Sequence, residues 1–212
     1  MHKISHQLKD HYSKKYASFG STPEGVDWGK DDKLAYARQI KMLGLLLDIK
    51  QEVSLLDVGC GYGHLAEIIR DKNISVKYSG VDVVKSMIDD AKEKFPQFKF
   101  HNFDFLNFKC LNYDYLVCNG ILTQKLSATT LEMNGFFQAV VRKMYEHANI
   151  GIAFNVMSTF VNYQNENLYY KNPSETLAWC TTELSPHVVL DAAYKPWYEY
   201  TVYVYKPEII RK

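Results

Sequence analysis

Ser54-Leu55-Leu56-Asp57-Val58-Gly59-Cys60-Gly61-Tyr62-Gly63-His64-Leu65 is the stretch that decides the fold. It opens as a buried apolar strand, passes into a glycine-rich turn and continues as the start of a helix. Glycine reaches backbone conformations closed to other residues and lets a ligand lie against bare main chain. One acid, Asp57, stands two residues before the first glycine. A second, Asp82, ends the next strand-like run, Tyr78-Ser79-Gly80-Val81-Asp82. A carboxylate at the end of a second strand suits a ribose diol. Turn and acid together predict an adenosine-containing cofactor.

Outward from this stretch, strands and helices alternate. Strands are expected at 53–58, 76–82, 98–101, 113–119, 150–156, 187–190 and 198–205. Helices are expected at 63–71, 85–94, 130–147 and from Asn172-Pro173 to about residue 182, where Asn caps and Pro takes the first position. The run at 113–119 is almost continuously apolar in its centre, as a strand covered on both faces should be. Such alternation predicts an α/β fold with a parallel sheet and right-handed crossovers. A ligand then sits beyond the carboxyl ends of the strands.

Before the core, residues 4–17 have the spacing of a short amphipathic helix. Residues 18–30 form a Gly-rich loop that carries Phe19 and Trp28. Helical spacing returns over 31–48, with the apolar stripe Leu34, Ala37, Ile40, Leu43 or Gly44, and Leu47. The loop reads as a lid in which Tyr12, Tyr16, Phe19, Val26 and Trp28 close over the cofactor. On this reading residues 1–48 are N-terminal helices and a lid-like loop within the same domain as residues 49–212.

Composition sets limits on function. A chain of 212 residues is expected to be one domain. Its net charge of +1 offers no basic field for nucleic acid or anionic lipid. Cys60, Cys110, Cys118 and Cys180 lack CxxC spacing, which argues against a zinc site or a disulfide framework and for a reducing compartment. No run approaches the roughly 20 apolar residues of a membrane span. Cytoplasmic location, no metal, no nucleic acid and no membrane partner are the expectations. The sequence does not specify an oligomeric state. Of the 16 tyrosines, eight follow position 160, so the C-terminal quarter is aromatic.

The glycine pattern distinguishes between cofactors. A nicotinamide site favours G-x-G-x-x-G, and here Gly59 and Gly61 fit but His64 holds the third place. S-adenosylmethionine (SAM) carries an ammonium and a sulfonium and no pyrophosphate, so acids and aromatics serve it better than a phosphate-binding helix end. Leu55–Gly63 followed by Gly80-Val81-Asp82, with Asp104 and the buried strand ending at Asn119, resembles the class I SAM-dependent methyltransferase family over roughly positions 50–160. The resemblance implies a doubly wound seven-stranded sheet, mostly parallel with an antiparallel last strand and helices on both faces.

It also implies roles. Asp57, Gly59, Cys60 and Gly61 match the motif that lines the methionine part of SAM. Asp82 matches the acid that holds both ribose hydroxyls. Val83 and Met87 are placed near the adenine, and Asp104 and Phe105 beside its amino group and ring. Asn119 and Gly120 face the methionine part or the acceptor. Trp28 and Tyr16 are the lid residues expected to touch the cofactor.

Methyl transfer is an in-line displacement that needs positioning and exclusion of water more than a dedicated base. Catalytic residues are therefore faintly marked. His187, Asn155 and Tyr169 are the candidates, the last two from the strand end and the polar aromatic loop at 161–170. His64 reads as a surface residue. Trp197, Tyr198 and Tyr200 read as sheet packing. The acceptor is expected to be a small molecule methylated on O or N, since no basic stripe or Asn-Pro-Pro-aromatic motif points to nucleic acid. A NAD-dependent oxidoreductase and a non-catalytic SAM-binding protein are the alternatives.

Overall fold

β1 (Val53–Val58) lies in the middle of the sheet, and its alternation explains the layers. Leu55 faces one core and Leu56 and Val58 the other, all fully buried. The computed structural model describes residues 3–47, 49, 51–107, 109, 111–195 and 198–207. Cys110 and Trp197 lie outside the described residues.

The helices are α1 (Lys3–Phe19), α2 (Asp32–Met42), α3 (His64–Asp71), α4 (Lys85–Lys94), α5 (Thr130–His147) and α6 (Pro173–Glu183). The remaining strands are β2 (Val76–Asp82), β3 (Lys99–Asn102), β4 (Tyr113–Cys118), β5 (Ala148–Ser158), β6 (Tyr170–Lys171), β7 (Val188–Asp191) and β8 (Glu199–Tyr205). The sheet order is β3-β2-β1-β4-β5-β8-β7. β1 pairs in parallel with β2 and β4, and β5 with β4, while β8 runs antiparallel to both β5 and β7. The expected mixed sheet is therefore present, with one addition. The two-residue strand β6 pairs in parallel with Met157 and Ser158 at the end of β5, which makes eight strands. Two residues carry too little pattern to announce a strand.

Helix starts follow local chemistry. Thr129 and Glu132 form a reciprocal capping box on α5, and the Asn172 side chain accepts from the Ser174 amide ahead of Pro173 on α6. α1 and α5 cover one face, with Ile4, Leu8, Phe137 and Val141 in a single core. α2, α3 and α4 cover the other, through Met42, Leu65, Ile69 and Ile88. None of the described helices is long and apolar enough to cross a membrane.

α2 departs from expectation. Its buried residues are Ala35, Arg38, Gln39 and Met42, not the stripe of Leu34, Ala37 and Ile40. The helix turns two polar side chains inward because they face cavities and an acid on the last strand. Arg38 Nε donates to Glu199 Oε1 and Oε2 at 2.9 and 3.1 Å, and Arg38 Nη2 lies 2.8 Å from Glu199 Oε1. Both side chains are only 6% exposed.

Removing one member of a buried pair leaves an uncompensated charge, at a cost of about 3–5 kcal/mol, whereas removing both is far milder. Arg38→Met alone should lower unfolding free energy by about that amount in urea titrations. The double variant R38M/E199Q, which keeps an acceptor for Asn155, should recover most of the loss.

Candidate active site

At the carboxyl ends of β1 and β2 the glycine turn is pinned from below. The amides of Gly59 and Cys60 both donate to Val81 O, at 2.8 and 3.2 Å. Gly61 N donates to Asp82 Oδ2 at 2.9 Å, and Val84 N donates to Asp82 Oδ1 at 2.8 Å. Gly59 has φ +80°, and a Cβ there would stand 2.4 Å from Ile121 Cγ2. That position needs glycine for two separate reasons, backbone conformation and close approach. Burial pushes the Asp82 carboxyl upward, against the pull of the amides that it accepts.

The turn forms the floor of a narrow slot of about 90 Å3. Gly59, Cys60, Gly61, Asp82, Val83 and Met87 line it from the first two strand ends and α4, and Asp104, Phe105, Asn119 and Gly120 from the next two. Ser5, Leu8 and Tyr12 of α1, Gln39 of α2, and Val26 and Trp28 close the opposite wall. All the residues expected at the cofactor thus surround one cavity, except Asp57 and Tyr16.

Asp57 lies behind the turn. It is buried and accepts from the Tyr78 hydroxyl at 2.8 Å. Tyr16 is turned away as well, because its hydroxyl bonds Asp90 and Ser21 and its ring stacks on Tyr62. Tyr12, one helical turn earlier, occupies the wall instead.

The N-terminal segment is more than a loop laid over the opening. Ile4 and Leu8 belong to the core beneath α5, and buried Ser5 donates to Asp104 Oδ1 at 2.9 Å. Its removal would cost stability as well as the cavity wall.

Three wall residues carry buried polar atoms with no partner among the described residues: both amide atoms of Asn119, Gln39 Oε1 and His64 Nδ1. His64 is therefore a lining residue and not a surface one. Burial lowers its basicity, so the imidazole is neutral near pH 7. The expectation put His64 on the surface and passed over Gln39 because only the packed fold fixes how the helices that carry them are turned. Cys60 and Cys118 are buried, and burial pushes both thiols up, which disfavours the thiolate.

A second cavity, of about 300 Å3, lies beyond Trp28 and Gly120, which line both. A Cβ on Gly120 would come within 3.1 Å of Trp28 Nε1, so the indole rests against bare backbone there. Asn155 sits at this cavity, its Oδ1 accepting from Gly120 N at 2.9 Å and its Nδ2 donating to Glu199 Oε2 at 3.1 Å. Tyr170 and Tyr198 line it too. Tyr200 packs in the core, as expected.

The other two catalytic candidates lie elsewhere. Tyr169 is 1% exposed, packs near Phe137 and donates to Asn134 Oδ1, so it is a core residue. His187 precedes β7 at the amino end of that strand, because the parallel direction of β7 puts its ligand end at Asp191.

These features coincide with those of known proteins. Residues 56–151 match the family model described as a methyltransferase domain. Sheet order, strand-end site and this match together liken the chain to methyltransferases of the class I fold. A curated Mycobacterium tuberculosis protein named as a methyltransferase is 27% identical over 72% of this chain and 93% of its own length. The magnesium protoporphyrin IX methyltransferase of Synechocystis PCC 6803, solved with bound SAM, shares the fold at a TM-score of 0.66, with 12% identity over 97% of this chain and 98% of that one. The N-methyltransferase NodS of Bradyrhizobium japonicum, solved with S-adenosyl-L-homocysteine, has a TM-score of 0.67 and 15% identity, covering 94% and 98%.

Asp57 gives a testable pH signature. Burial pushes its carboxyl up to about 7, partly offset by the Tyr78 hydroxyl. Unfolded, it titrates near 3.8. Between these values the folded chain binds more protons, so the contribution of Asp57 is complete below about 4 and is lost as pH rises through about 7. Asp57→Asn keeps an oxygen for Tyr78 and cannot ionise. Thermal melts should show the wild type losing stability relative to D57N between pH 4 and pH 8.

Proposed function

We propose that this chain transfers a methyl group from S-adenosylmethionine to an O or N of a small-molecule acceptor. The observation that carries the reading is the slot at the strand ends, where a pinned glycine turn and Asp82 meet unspent polar atoms of Asn119, Gln39 and His64. These residues fit the cofactor by chemistry. Asp82 keeps lone pairs beyond those given to two amides, and an ionised carboxylate accepts from two hydroxyls. Val83, Met87 and Phe105 offer apolar faces to a purine. Asn119 and Gln39 supply acceptors for an ammonium, and Asn119 Nδ2 a donor for a carboxylate.

When bound, SAM supplies an electrophilic methyl on a sulfonium. The chain's own work is to orient that group and exclude water. Trp28 lines both the slot and the larger cavity, which supports an acceptor site on the far side of the indole. Asn155 acts there through the backbone, holding the Gly120 turn against Glu199. The methyltransferase-domain match favours this reading over a NAD-dependent oxidoreductase.

Two variants test the cofactor assignments by isothermal titration calorimetry with SAM. Asp82→Asn should weaken binding at least tenfold, since hydrogen bonds to a charged group contribute about 1.5–3 kcal/mol. Asn119→Ala should weaken it while leaving the melting temperature of the ligand-free protein unchanged or higher. That side chain is buried without hydrogen-bond partners among the described residues, so its loss removes a desolvation cost. Equal SAM affinity in both variants would refute the placement.

A further inference from the structure

The second cavity contains a donor that the fold leaves unused. Arg38 lines this cavity and not the slot. Its Nε and Nη2 are spent on Glu199 and on the Tyr198 hydroxyl, the last at 2.9 Å. Its Nη1 is buried with no partner among the described residues. Buried guanidinium N–H groups without acceptors are costly, so an unspent one on a residue that lines a cavity points to a ligand oxygen. The fork cannot swing to satisfy itself. Glu199 grips it from one side, and the rings of Trp28 and Tyr198 lie 5.5 and 6.0 Å from the guanidinium carbon.

The charge around this donor decides what kind of oxygen it takes. Glu199 already balances the guanidinium. Asp27, another wall residue, is held by His11, by Lys15 at 2.9 Å and by Gln124 at 3.4 Å. An added anion would share the cavity wall with two carboxylates. An added cation would meet the buried guanidinium. A neutral oxygen accepts from Nη1 and disturbs neither balance. The rest of the wall mixes aromatic rings such as Tyr163 and Tyr198 and side-chain amides such as Asn162 and Asn165 with aliphatic faces at Met157, Val161 and Leu168. Flat apolar faces with interspersed amide donors and acceptors suit a ring that has C–H faces and a hydroxyl rim.

We propose that the second cavity binds the acceptor as a neutral, polyhydroxylated ring, such as a pyranoside or cyclitol, with one of its oxygens accepting from Arg38 Nη1. This rests on the methyl-donor reading above and names the acceptor class for it. In the transfer, a hydroxyl oxygen lone pair forms the new C–O bond as the methyl–sulfur bond breaks. The sulfur keeps that electron pair, and the hydroxyl proton leaves to water at the cavity mouth, which the exposed Asn162, Tyr163 and Asn165 border.

The test begins with SAM titration of the intact protein. Absence of SAM binding would overturn the donor reading itself, independently of the acceptor. With binding present, release of S-adenosylhomocysteine is followed with three pools: neutral methyl pyranosides with inositol, aromatic carboxylic acids, and aliphatic amines. The expected result is turnover with the neutral pool alone. For the pyranoside or cyclitol so found, the folded double variant R38M/E199Q should raise KM at least tenfold and leave SAM affinity within twofold of wild type. Turnover confined to acids or amines, turnover with none of the pools, or an unchanged KM in the double variant would each overturn the proposal. So would a loss of SAM affinity in that variant, which would place Arg38 at the cofactor.

Discussion

Asp82 gives one oxygen to the Gly61 amide and the other to the Val84 amide, and the ligand end of the sheet takes its shape from these two bonds. The first fixes the glycine turn that leaves β1, and the second fixes the start of α4 that leaves β2. With Val81 O accepting from Gly59 and Cys60, two parallel strands deliver their connecting turns to a single point. The carboxylate is partly withdrawn from water to do this, and desolvated carboxylates are kept only when they are well bonded. Replacing the acid would therefore loosen two turns at once, before any ligand is considered.

A second anchor acts across the sheet. Glu199 on β8 joins Arg38 on α2 and, through Asn155 on β5, the Gly120 amide after β4. Elements far apart in sequence thus meet around the indole of Trp28. The result is a division of space, with a narrow slot on the glycine-turn side and a wider cavity on the side of the late strands. Gly120, at φ +104°, lets the indole lie against the main chain at that boundary.

Much of the first anchor was legible in the sequence, because it is local. Glycine spacing, an acid at the end of each early strand, and strands of apolar residues all announce themselves within short windows. The second anchor was not. Arg38 and Glu199 are 161 positions apart, and nothing in either neighbourhood marks them as partners. The apolar stripe expected on α2 misled for the same reason, since the helix rotated to satisfy a buried pair and two cavities. His187 was read from its residue type at the start of a late strand, and Tyr169 from its place in the polar aromatic loop. Strand direction removed the first from the ligand end, and a packing partner in α5, Phe137, claimed the second. Asp57 matched a motif by position, yet its side chain turned to Tyr78 behind the turn.

The docking of α1 makes the slot unusual as a binding site. Ile4 and Leu8 belong to the main core, while Ser5 and Tyr12 on the same helix form the cavity wall. A slot of about 90 Å3 is small against the roughly 300–1,000 Å3 of ordinary ligand clefts. A nucleoside held there would lie against Ser5, Leu8 and Tyr12 of this helix. Any binding free energy that depends on those side chains couples ligand attachment to helix attachment. By thermodynamic reciprocity, whatever free energy a bound molecule lends to the helix, the helix lends back to the molecule. The α1 wall would in that sense be a part of the affinity, and its resistance to proteolysis a gauge of occupancy.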